Sequence, residues 1–187
     1  IPPSRIRSVG YAPARPTPEE PALSNLPTDL PPDFGSAFGR LMGLEKLGVE
    51  DMKLMILLET AGEPLYFGLA EGVESEEVRT LLRQNGREET AHAHRLKKAI
   101  EILTGRPYAI PSLAENPYGK PPAMGPVTAE LLRGLVQAER GGDALYQKYA
   151  ANESNAEVVE LLLQNGREET RHGERVEDRA QEGERVG

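Results

Sequence analysis

The 187-residue chain contains no cysteine and no tryptophan. Without thiols there is no disulfide, no thiolate nucleophile, no zinc ribbon and no tetrathiolate iron or iron–sulfur site. A cysteine-free composition suits a reducing compartment, so a cytoplasmic location is expected. The chain begins at Ile1 rather than Met, which leaves open a removed upstream signal. Aromatic residues make up only 5%, and the apolar side chains are mainly Leu, Ala and Val. That balance favours helices over a β-sandwich. No apolar run approaches the ~20 residues that span a bilayer, so no membrane partner is expected. Basic charge is scarce as well, with 22 Lys and Arg against 30 Asp and Glu, a net charge of -8. A nucleic-acid partner is therefore not expected, because phosphate binding needs a clustered basic patch.

Proline, by contrast, is abundant and unevenly placed. Pro2, Pro3, Pro13, Pro16, Pro18, Pro21, Pro27, Pro31 and Pro32 fall within residues 1–45. Such a stretch cannot sustain helical or sheet ladders and reads as an extended arm. Leu23, Leu26, Leu30 and Phe34 give that arm apolar surface with which to dock. From Gly48 the pattern changes to apolar or small residues at three- and four-residue steps: Met55, Leu58, Gly62, Leu65, Leu69. A second such run follows the Glu71-Gly72 break and stops at Gly105-Arg106-Pro107. Both have the period of an amphipathic helix. A Pro-rich connection covers residues 105–126, and two more helical runs occupy about 127–151 and 154–180. Ser154 with Glu157 suggests a capping box for the last. The expected organisation is all-α: an arm over 1–45, then a four-helix bundle over 46–182 with a long crossover between its second and third helices.

The bundle is built from a repeat. An ungapped shift of 80 residues superposes Leu81-Leu82-Arg83-Gln84-Asn85-Gly86-Arg87-Glu88-Glu89-Thr90-Ala91-His92 on Leu161 through His172. The same shift pairs Glu59 with Glu139, Gly62 with Gly142 and Tyr66 with Tyr146. Glu59–His92 against Glu139–His172 has 17 identities in 34 positions. Two copies of a helical hairpin, about 48–104 and 127–180, explain this.

The matched polar residues carry the chemistry. Glu89 and His92 lie within the apolar stripe of the second helical run, and Glu169 and His172 hold the same places in the fourth. Glu59 and Glu139 fall on the core side of the first and third runs. Four carboxylates in a bundle core are very costly unless cations pair with them. No lysine or arginine shares those stripes nearby, and two divalent ions would balance the charge of -4. Glu-x-x-His sets both side chains on one helix face, one turn apart. The mixed oxygen and nitrogen donor set suits iron or manganese better than calcium or structural zinc.

In Glu59, Tyr66, Glu89-x-x-His92, Glu139, Tyr146 and Glu169-x-x-His172, residues 48–180 resemble the ferritin-like superfamily, most nearly its rubrerythrin-type members. The resemblance implies a ferritin-like four-helix bundle and a di-iron carboxylate site. Glu59, Glu89, His92, Glu139, Glu169 and His172 would be its ligands, and two iron ions, two manganese ions or a mixed pair its cofactors. Three features depart from the family. There is no rubredoxin-like tail, Gly142 stands where many rubrerythrins carry an extra carboxylate, and the proline-rich arm is not part of the pattern.

If the crossover runs the length of the bundle, the first and third helices are antiparallel, as are the second and fourth. That topology suggests Glu63–His172 and Asp143–His92 pairs, in which a carboxylate accepts the outer ring N–H of a ligating histidine. Asn85 and Asn165, one turn before a ligand glutamate, are further candidates for the surroundings of the site. Tyr66 and Tyr146 could hydrogen-bond ligand carboxylates, take part in one-electron chemistry, or simply pack. Glu88, Glu168, Arg87 and Arg167 read as a solvated face, and His94 as a surface residue. The expected activity is a di-iron oxidoreductase acting on hydrogen peroxide or dioxygen, a peroxidase or ferroxidase supplied with electrons by a separate donor. An iron-storage protein, a substrate oxygenase and a non-catalytic metal-stabilised module are the alternatives. A homodimer or larger homo-oligomer is expected.

Overall fold

The computed structural model describes residues 23–121 and 127–186, with side chains described through Glu177. Among the described residues there are five helices and no strand: α1 (Phe34–Met42), α2 (Val49–Glu71), α3 (Glu76–Thr104), α4 (Ala129–Ala151) and α5 (Ala156–Val186). None is long and apolar enough to cross a membrane.

The helix ends follow capping chemistry. Ser75 and Thr128 accept backbone N–H groups at the starts of α3 and α4. Gly105 ends α3 in the left-handed region, at φ 66°. The last helix differs from expectation: Asn155, not Ser154, is its cap, its Oδ1 accepting the N–H groups of Glu157 at 3.0 Å and Val158 at 3.2 Å. The asparagine supplies an equally good acceptor one residue later.

α1 lies inside the stretch expected to be extended. Asp33 caps it, Oδ1 accepting the Ser36 N–H at 2.7 Å, and Phe34, Phe38 and Leu41 fall at helical spacing. Its two glycines and the preceding Pro31-Pro32 concealed it in the sequence. Leu23 and Leu26 pack against the core, whereas Leu30 and Phe34 are exposed. The segment 1–22 of the arm and residues 122–126 of the crossover lie outside the described residues. Tyrosines tie the described portions together. Tyr108 Oη donates to the Asn25 carbonyl at 2.6 Å, Tyr118 to Pro31 at 2.7 Å and Tyr149 to Leu41 at 2.6 Å.

This covering layer changes α2. Met52 through Glu59 are all buried, Lys53 included, so the first half of the helix is covered all round rather than on one stripe. α2 pairs with α3 and α4 with α5 as hairpins, and α3 packs directly on α5, while α2 and α4 stand apart. Two apolar clusters result. One gathers Ile56, Leu57, Ala99, Tyr149 and Leu162, and the other Tyr66, Leu69, Leu82, Val136 and Val176. Between them, at mid-height, lies a polar layer.

Candidate metal centre

Each of the four long helices sends its repeated carboxylate into this layer, and α3 and α5 add a histidine. Glu59, Glu89, Glu139 and Glu169 are 6–7% exposed and His92 and His172 are fully buried. They form two overlapping groups that could each hold an ion: Glu59, Glu89, His92 and Glu169, and Glu89, Glu139, Glu169 and His172. Glu89 and Glu169 belong to both. Glu59 with His92 and Glu139 with His172 therefore complete opposite ends, each pair from one repeat.

The histidines address the cluster through Nδ1. His92 Nδ1 lies 3.3 Å from Glu59 Oε2, 3.3 Å from Glu169 Oε1 and 3.7 Å from Glu89 Oε2. His172 Nδ1 lies 3.2 Å from Glu89 Oε1, 3.4 Å from Glu139 Oε2 and 3.7 Å from Glu169 Oε2. Tyrosines cross between α2 and α4: Tyr66 Oη donates to Glu139 Oε1, and Tyr146 Oη to Glu59 Oε1 at 2.5 Å. These crossed pairs run α2 and α4 in opposite directions and bring the repeats together about a pseudo-two-fold axis.

The outer ring nitrogens meet carboxylates that the sequence reading had assigned to solvent. His172 Nε2 is 3.0 Å from Glu88 Oε2, and His92 Nε2 is 3.2 Å from Glu168 Oε2. Arg175 and Arg95 then hold those two glutamates, at 2.9 and 2.6 Å. The expected Glu63–His172 and Asp143–His92 pairs do not form. Glu63 instead accepts from Thr90 at 3.2 Å and Asp143 from Thr170 at 2.7 Å, each clamping its own hairpin. The docking of α3 on α5 brings the glutamate of one helix to the histidine of the other before α2 or α4 can reach it. Asn85 and Asn165 brace the same contact. Each donates to the opposite histidine's backbone carbonyl at 3.3 Å and accepts from Arg175 or Arg95 at 2.9 Å. Asn165 also donates to the Tyr146 hydroxyl at 3.0 Å. Of the remaining residues, His94 is exposed as expected.

The rubrerythrin family model matches residues 52–180, nearly all of the duplicated bundle. The chain belongs to the rubrerythrin family. No curated protein and no solved structure matches it.

The donor set fits a cation. His172 Nδ1 is buried and has no hydrogen-bond partner, although three carboxylate oxygens surround it. Facing three carboxylate oxygens of one four-residue group, that nitrogen is placed for a metal, whereas His92 Nε2, also without a hydrogen bond, faces Glu168 outside both groups. Without an ion, protons carry the balancing charge. Burial, reinforced by the Glu89 charge, lifts the Glu169 carboxyl well above its ordinary range. Burial lifts Glu59 to about 7 against the pull of His92. Burial alone would lower the histidines, yet surrounding carboxylates raise His92 strongly and His172 to about 11. Burial likewise opposes the shift of Glu168, but His92 and Arg95 hold its carboxyl down at about 2. Tyr66 and Tyr146 are raised by burial and by Glu139 and Glu59, so both stay protonated donors.

Small residues give these side chains room. A Cβ on Gly62 would stand 2.7 Å from Glu89 Cγ, and one on Gly142 3.2 Å from Glu169 Cδ. Gly86, unexpected in mid-helix, lets α3 approach α2: a Cβ there would meet Tyr66 Cβ at 2.9 Å.

The outer pairs did leave a trace in the sequence. Asn85, Glu88, His92 and Arg95 recur intact as Asn165, Glu168, His172 and Arg175. Steps of three, four and three residues put each quartet on one helix face.

Proposed function

We propose that this protein is a di-iron oxidoreductase whose first substrate is hydrogen peroxide, with dioxygen as the other candidate oxidant. The observation that carries the proposal is the pair of four-residue groups sharing Glu89 and Glu169. That sharing supports two adjacent cations rather than one. Glu59 and His92 would complete one ion's ligands, Glu139 and His172 the other's, with four carboxylate charges balancing two divalent ions. A ferrous pair would supply two electrons to a single O–O bond.

The chain's own residues hold that chemistry in place. Glu88 meets the outer ring nitrogen of His172 in a hydrogen bond of 3.0 Å, and the Glu168 carboxylate lies 3.2 Å from that of His92, so a carboxylate behind each imidazole holds its Nδ1 inward. Tyr66 and Tyr146 fix one oxygen each of Glu139 and Glu59. The apolar clusters above and below shield the layer at both ends of the bundle. Reducing peroxide to two waters consumes two electrons and two protons. Because these 187 residues hold no cysteine, we assign the return of the electrons to a donor outside them.

Metal analysis and anomalous scattering on protein purified without added metal test the centre, and two irons per chain are expected. One ion or none at the Glu/His cluster overturns it. Peroxide consumption by the Fe(II)-loaded protein tests the reaction. Loaded protein that neither consumes peroxide nor takes up oxygen would instead be a metal-stabilised module.

A further inference from the structure

The carboxylate layer has two unlike sides. His92 and His172 reach it from the side where α3 packs on α5, their rings stacked with centroids 5.3 Å apart. On the other side, where α2 and α4 stand apart, lies a cavity of about 220 Å³. Its walls include Phe38 of α1, Leu58 and Leu65 of α2, and Leu135 and Leu145 of α4. Its floor is Glu59, Glu89, Glu139 and Glu169, and neither histidine lines it. Apart from those glutamates the only polar side chain in the lining is Tyr66, whose hydroxyl is committed to Glu139.

We propose that this cavity is a binding site for a neutral, apolar small molecule the size of one substituted ring. Size argues for that occupant. An apolar cavity of about 150 Å³ stays dry and accepts benzene, so this one has room for a ring bearing a short substituent. Chemistry argues the same way. A water wants two to four polar partners, and above the carboxylate floor the walls offer only the Tyr66 hydroxyl, already committed to Glu139. An anionic ligand would meet four carboxylates and no lysine or arginine. A cation would compete for the floor itself, but apolar walls suit only a ligand without charge.

The cavity is also reached from outside. Phe34 and Ala138 at its rim are exposed, and Phe34, the first residue of α1, stands edge-on to Tyr118 with ring centroids 6.5 Å apart. The occupant would rest against the carboxylates on the side the histidines leave open. Its position beside a metal pair rests on the function proposed above, whereas its binding does not.

The test is a titration of the full chain with toluene, followed by leucine and methionine methyl NMR, run metal-free and again with zinc. Saturable shifts confined to Leu41, Met55, Leu58, Leu65, Leu135 and Leu145 are expected in both. Ala138→Trp should fill the mouth from an exposed position and weaken binding at least tenfold. Leu135→Trp, one turn earlier on α4, provides a second block should the first variant misfold. Shifts that never saturate, or an affinity unchanged in the folded blocking variant, would overturn the proposal. So would self-association that shifts the same methyls without toluene, because the cleft would then belong to a second copy. Reading methyl signals in the metal-free chain keeps this result separate from any failure to load metal.

Discussion

Replacing Gly62 by alanine sets two known quantities against each other. A mid-helix glycine costs about 1 kcal/mol relative to alanine, so propensity alone favours the variant. The new Cβ, however, would lie 2.7 Å from Glu89 Cγ, 3.1 Å from Cδ and 3.2 Å from Cβ. Those atoms are the root of a buried side chain rather than its flexible tip, so α2 and α3 must separate or Glu89 must leave its rotamer. Overpacking of this kind costs about 1–3 kcal/mol, and a contact this short belongs at the upper end. The net expectation is a loss of about 2 kcal/mol. The repeat supplies its own control. At Gly142 the same substitution meets Glu169 Cδ at 3.2 Å and Cγ at 3.4 Å, which a shift of a few tenths of an ångström relieves. Propensity should then win, leaving Gly142→Ala neutral or more stable by up to about 1 kcal/mol. Urea denaturation of the metal-free proteins measures the difference, and zinc titration reads the site. Gly62→Ala should also bind zinc more weakly, because Glu89 belongs to both ion-holding groups. Equal stability of the two variants, or undiminished zinc binding in Gly62→Ala, would show that Glu89 does not set the α2–α3 spacing.

The outer pairs and the buried charge make further predictions. Glu88→Gln and Glu168→Gln should each weaken metal binding about 10–100-fold, since each leaves one imidazole unoriented. Glu63→Gln and Asp143→Asn should leave it within a few-fold, and competition against a chromogenic chelator ranks the four. Stability of the metal-free chain should fall as pH rises from 5 to 7. Glu59, raised from 4.5 to about 7, binds its proton more tightly when folded. Its contribution is complete below pH 4.5 and is lost as the pH passes through about 7, a change of about 2 kcal/mol over this window. The raised histidines begin to lose theirs above 6.5, in the same direction. Thermal melts at pH 5 and 7 should show a shallower decline in Glu59→Gln, and an identical decline would remove Glu59 as its source.

Helix class, the duplication and the six inward donors were legible in the residues themselves. Periodicity is a local property: Glu89 and His92 share a stripe with Leu82 and Leu96 in any α-helix, packed or not. Duplication then distinguished a built site from a chance Glu-x-x-His. Tyr66 and Tyr146 were legible only as candidates, because their partners lie on the other repeat. Whether Glu88 or Glu63 faces His172 depends on how α3 docks on α5. Glu88 is one residue, about 100°, round the helix from Glu89, and only packing decides whether that face meets water or a histidine. α1 was hidden because proline and glycine in a short stretch outweigh its three spaced apolar residues, and burial against α2 is what stabilises it. The cavity belongs wholly to tertiary structure, since a void is a property of the distance between α2 and α4 and no single helix encodes it. The chain thus determined by itself that the six repeated donors share the apolar stripes, through helical geometry alone. Assembly of the two hairpins decided which carboxylate each histidine meets and left the gap beside them, because both depend on contacts between residues some 80 positions apart.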